Sequence, residues 1–97
     1  MPEIIGAPLA RVEIWEAGKI EGKRWRVTER ELVIYFKPGD GSAYFLREHL
    51  PLTDKRALWI AVQMARAMGK SEVFWHCVGN RNTRYIEGVV VRTYEHE

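Results

Sequence analysis

Hydrophobic and polar positions alternate along residues 9–15, where Ala10, Val12 and Ile14 are separated by Arg11, Glu13 and Trp15. That rhythm predicts a half-buried strand. A polar stretch bounded by Gly18 and Gly22 can turn the chain. Residues 23–28 then place Trp25 and Val27 on one face and Arg24 and Arg26 on the other, a second strand with a basic outer face. Thr28, Glu29, Arg30 and Glu31 are polar enough to read as a turn, and residues 32–36 (Leu-Val-Ile-Tyr-Phe) have the β-branched and aromatic content of a well-buried third strand. The proline and two glycines of residues 38–42 predict a hairpin turn. Residues 43–46 would return as a short fourth strand.

The period changes after Pro51. Thr53 is a candidate N-cap, Asp54 suits the positive end of the helix dipole, and Gly69 with Lys70 suits a C-terminal stop, so residues 54–68 are expected to be helical. At about 100° per residue, Ala57, Leu58, Ala61, Met64, Ala65 and Met68 gather on one apolar face, with Ile60 and Val62 at its margins. Residues 73–78 (Val-Phe-Trp-His-Cys-Val) are apolar in both directions and read as a central strand. A polar loop over residues 79–84 leads to a last valine-rich strand over residues 85–94. The expected fold is therefore α+β, in the order β-β-β-β-α-β-β, with a largely antiparallel sheet packing one face on a single helix.

Composition agrees with one compact domain: the chain has 97 residues, 46% hydrophobic and 29% charged, and single domains commonly hold about 100–150 residues. No internal repeat or low-complexity segment divides it. The single cysteine, Cys77, excludes a disulfide framework and a four-cysteine zinc site. The first residues lack the basic and apolar blocks of a secretory leader, and the longest apolar run, residues 57–62, is far short of the roughly 20 residues that span a bilayer. A soluble cytoplasmic protein that does not engage membranes is the expectation. The net charge of +2 is small and conceals local asymmetry.

Three groups carry that asymmetry. The helical projection puts Lys55, Arg56, Trp59, Gln63, Arg66 and Lys70 together opposite the core. A Trp among cations is costly to leave in water, so it is either a contact residue or covered by other chain segments or by arginine side chains. Residues 19–30 hold Lys19, Lys23, Arg24, Arg26 and Arg30 against Glu21 and Glu29. These cations suit backbone phosphate or an acidic surface. They also suit the solvated face of a small sheet, with Glu13 and Glu16 near enough to neutralise some of them by cross-strand pairing. The loop at 80–84 adds Arg81 and Arg84, which are either contact groups or ornaments of a plain turn. Because the total is only +2, the remaining surface is expected to be net acidic.

Catalytic readings are weaker. His76 and Cys77 are neighbours on a strand and point to opposite faces, so they cannot act as base and nucleophile. Cys77 reads as a core residue. His49, His76, Cys77 and His96 match no zinc spacing, and the glycines near residue 40 lack the lysine and helix of a phosphate-binding loop. No metal, no small-molecule cofactor and no catalytic residue is expected. The expected function is a non-enzymatic binding module that uses Lys23, Arg24, Arg26, Lys55, Arg56, Trp59, Gln63, Arg66, Arg81 and Arg84 to engage a polyanion such as nucleic acid, or an acidic partner. The alternative is a small protein-binding regulator or inhibitor, of the kind phages and mobile elements encode, that occupies a partner's functional surface.

Overall fold

A computed structural model describes residues 11–37, 42, 44–78 and 82–95. The elements are β1 (Arg11–Glu21), β2 (Arg24–Phe36), β3 (Tyr44–His49), α1 (Asp54–Ala67), β4 (Glu72–Cys77), β5 (Arg84–Ile86) and β6 (Val89–Glu95). They form one six-stranded sheet in the order β3-β2-β1-β4-β6-β5. The helix packs on β1, β4 and β6. This is the α+β architecture read from the sequence, with one helix against one face of the sheet.

Four expectations about the strands change. Strand β1 continues through Gly18 to Glu21, so the chain turns only at Gly22 and Lys23. Residues 28–31 are not a turn: β2 runs unbroken from Arg24 to Phe36 because Arg30 lies opposite Glu16 in the ladder and is paired with it. The long terminal strand is broken in two at Glu87 and Gly88, whose φ values of 48° and 82° make the tight turn that joins β5 to β6. The helix therefore stands between two sets of three strands. The sheet is also mixed, since β4 pairs parallel with both β1 and β6 while the outer pairs are antiparallel. The turn expected at 38–42, Ser42 aside, and residues 79–81 of the expected loop lie outside the described residues.

The helix ends as its sequence suggests. Gly69 takes φ 69°, and the amides of Gly69 and Lys70 donate to the carbonyls of Arg66 (3.0 Å) and Ala65 (2.8 Å), the Schellman arrangement that satisfies the last carbonyls. Its start differs: Thr53 occupies the N-cap position with extended backbone, but its side chain makes no capping bond. Ala57, Leu58, Ala61, Val62 and Ala65 are buried against Val12, Ile14, Leu32, Val73, Trp75, Cys77, Val89 and Val91. Val62 thus belongs to the core rather than its margin, and Met64 is exposed.

The opposite face of the sheet carries no second layer among the described residues. Glu13, Trp15, Phe74 and His76 lie there, with the Trp15 and His76 rings stacked at 3.8 Å and Arg11 over Phe74 at 3.8 Å. Trp15 Nε1 donates to Glu13 Oε1 at 2.8 Å, and His76 Nε2 lies at the same distance from that oxygen. Arg11 Nε sits 2.6 Å from Glu13 Oε2. This cluster fixes the register of β1 against β4 with polar contacts where no helix can do so by packing.

Candidate functional site

Strand β1 is paired with β4 only along Val12 to Trp15, whereas its pairing with β2 continues to Glu21. Residues beyond that point form a two-stranded ribbon that runs past the end of the central strand. Within the ribbon the register slips at Ala17 and Gly18, where Thr28 is the extra residue of a β-bulge. Trp25 lies so close over Gly18 that a Cβ there would come within 2.8 Å of the indole and 2.2 Å of the Arg26 carbonyl oxygen. Glycine permits this close crossing.

Parallel pairing orients the rest of that end. The helix precedes β4 by a tight turn, so its N-terminal half lies beside the C-terminal end of β4, the end from which the ribbon extends. Strand β5 flanks the first half of β6, with Arg84 opposite Val91 and level with Val73 near the start of β4. Lys55, Arg56, Trp59 and Arg84 line one open groove of about 660 Å³ between the helix and β5. Its floor is apolar, from Leu58, Ile60 and Ile86. Lys23 and Arg24 line a second recess with Ile20, Trp25 and Val78, the residue that follows β4.

The expected contact residues divide by what they already touch. Lys23, Arg24, Lys55 and Arg56 are exposed and make no ion pair among the described residues. Arg84 lies over the Trp75 ring at 5.7 Å. Arg26 is held by Glu21 at 2.8 Å. Gln63 and Arg66 both donate to Glu87 Oε2 at 2.7 Å, so they tie the helix to the β5–β6 turn. Trp59 is 52% exposed, so neither the sheet nor an arginine covers it fully. Arg81 lies outside the described residues. The groove brings the helix cations to Arg84. The ribbon cations sit apart from it, in their own recess.

Arg30 does not belong to the solvated basic group that its sequence neighbours suggest: its side chain is only 2% exposed. Its Nε donates to Glu16 Oε1 at 2.9 Å and Nη2 lies 2.8 Å from the same oxygen. The guanidinium also donates to the Leu52 carbonyl and to Asp54 Oδ1. Trp75 Nε1 donates to Glu16 Oε1 at 2.8 Å. One arginine thus joins β1, β2, the segment before the helix and the helix's first turn. The available signal was the alternation itself, because Arg30, Leu32 and Ile34 are two apart and share the inner face. Cys77 faces the core beside Val73 and Trp75, while His76 lies on the other face. Among the described residues no three His, Cys, Asp or Glu side chains are grouped to hold a metal, and no helix is long and apolar enough to cross a membrane.

No family model matches this chain, and neither a curated protein nor a solved structure matches it.

Proposed function

We propose that this protein is a non-enzymatic binding module that meets a nucleic-acid backbone through two sets of cations, one at the tip of the ribbon and one at the start of α1. The observation that carries the reading is the division among cations. Lys23 and Arg24 on the ribbon and Lys55 and Arg56 at the start of α1 have no carboxylate partners among the described residues, while Arg26, Arg30 and Arg66 are neutralised internally. Cations without carboxylate partners attract phosphates and release the counterions that accompany them. Trp59 stands beside Lys55 and Arg56 with half its surface exposed, and an indole in that setting stacks on an unpaired base as the cations hold the backbone.

Salt separates this reading from its competitor. Binding to single- and double-stranded DNA and RNA is measured at several ionic strengths. Log K should fall linearly with log salt, and Lys23→Gln with Arg24→Gln should flatten the slope by about 1.5–2 units. Absence of binding to every one of these at low salt would overturn it. A second reading, a regulator or inhibitor that occupies a partner protein's surface, is favoured by the groove's apolar floor of Leu58, Ile60 and Ile86. In that case Trp59 is an anchor in an apolar contact, and affinity for the captured protein changes little with salt.

A further inference from the structure

The sheet has two edges, and they are unlike each other. Strand β5 is three residues long and ends in a tight turn, a short edge of the kind that resists pairing. Strand β3 is six residues long, and every residue in it is exposed. Tyr44, Phe45 and Leu46 are consecutive, and Phe45 and Leu46 are each 56% exposed. Among the described residues no strand pairs with its outer side. Such an edge is a template for another strand.

The direction of its backbone groups follows from one hydrogen bond. The Leu50 amide donates to the Arg30 carbonyl at 2.9 Å, so Leu50 and Arg30 form a hydrogen-bonded pair of the antiparallel ladder. Counting back by twos, Glu48, Leu46 and Tyr44 direct their amides and carbonyls toward β2, opposite Leu32, Ile34 and Phe36. Phe45 and Arg47 therefore direct theirs outward.

We propose that β3 pairs antiparallel with β3 of a second copy of this chain, with Leu46 facing Leu46 of the partner across a two-fold axis perpendicular to the sheet. That axis keeps each face of the sheet on its own side, so facing residues must be an even number apart in the chain. Three registers then compete. Centring on Arg47 sets two guanidinium groups directly opposite each other, which is unfavourable. Centring on Phe45 leaves only Tyr44, Phe45 and Leu46 facing the partner. Centring on Leu46 engages the strand from Tyr44 to Glu48. The outward amides and carbonyls of Phe45 meet those of Arg47 in the partner, each Arg47 lies over a Phe45, and each Glu48 faces a Tyr44. Within one copy Arg47 already lies over Phe45, at 5.4 Å, so the contact repeats an arrangement the side chains adopt alone. The second copy is the favoured occupant because this register matches apolar to apolar and cation to ring, with no like charges opposed.

The proposal is independent of the nucleic-acid reading, since β3 lies at the far edge of the sheet from the groove. Sedimentation equilibrium of the full chain should give twice the 11.3 kDa chain mass. Arg47→Pro removes an amide that points outward and leaves the β2 ladder bonds in place, so it should give a monomer with an unchanged circular dichroism spectrum. Leu46→Cys should form a covalent dimer on mild oxidation, because facing residues in a non-hydrogen-bonded pair approach to about 4.5 Å between Cα atoms. Native Cys77 is buried and cannot substitute for it. The Leu46→Cys result stands even if the proline variant fails to fold. A single-chain mass into the hundreds of micromolar, a dimer that Arg47→Pro leaves intact, or cross-linking through Phe45→Cys in place of Leu46→Cys would each overturn the proposal.

Discussion

The two halves of β2 each hold an arginine paired with a glutamate of β1, and the two pairs meet opposite fates. From Arg24 to Glu29 the strand has, among the described residues, only β1 beside it and no helix above it, and its side chains remain largely exposed. From Arg30 to Phe36 it is flanked by both β1 and β3, and Leu32, Val33 and Ile34 are buried. Arg26 and Arg30 make the contrast plain. Each is bonded to a glutamate at about the same distance, yet Arg26's side chain is 60% exposed and Arg30's is 2%. The first pair stays in water, where screening reduces its worth to about 0–1 kcal/mol. The second has left water. Its ions depend on one another because neither has solvent to return to. Residue type does not decide between these outcomes. Coverage by neighbouring strands and the helix does.

The largest test breaks the covered half. Arg30→Ala leaves Glu16 buried without its cation and deprives the Leu52 carbonyl and Asp54 of their donor. It should cost about 3–5 kcal/mol of unfolding free energy, measured by urea denaturation. Glu16→Leu combined with Arg30→Met should recover part of that loss, because well-packed apolar groups carry no desolvation penalty. A loss under 1 kcal/mol for Arg30→Ala would show that the network is weakly coupled to the fold.

Trp59→Ala probes an exposed residue on a covered element. It should weaken binding to the cognate partner by about 2 kcal/mol, as expected of a contact hot spot, while the melting temperature stays nearly unchanged. An equal loss of stability would place Trp59 in the fold's energetics instead. Cys77→Ala removes a small side chain from the covered region and should cost about 1–2 kcal/mol with binding intact. The native thiol should also resist alkylation until the protein unfolds, since it is fully enclosed beside Val73 and Trp75. Rapid labelling of the folded protein would refute its core assignment.

The smallest stability effect belongs to the ribbon. Lys23→Gln with Arg24→Gln should change unfolding free energy by under about 0.5 kcal/mol, because exposed charges outside any network contribute little. A larger change would mean that the ribbon is part of the cooperative core, and the contrast between the halves of β2 would fail.

Local pattern was enough for much of this structure. Period-two alternation located the first half of β1, the helical projection put Trp59 outside and Leu58 inside, and strand parity separated His76 from Cys77. Each of these depends on residues within a few positions of one another, whose geometry follows from 3.6 residues per turn or two per pleat. Arg30 shows where such reasoning stops. Polar neighbours at 28, 29 and 31 made it resemble a turn, and only the strand register, which sets it opposite Glu16 fourteen residues earlier, turns it into a buried clamp.

Composition and periodicity determined the α+β class, the single helix, the apolar helix face and the places where cations concentrate. Tertiary structure alone decided the order β3-β2-β1-β4-β6-β5, the parallel pairing of the central strands and the exposure of β3. It also decided which cations are ion-paired within the fold and which, among the described residues, are not. The reason is that an ion pair's value depends on distance and on how much water surrounds it, and both are set by segments far apart in the chain. Lys23 and Arg30 occupy one stretch of sequence. One reaches solvent at the tip of a ribbon, and the other closes the base of the helix.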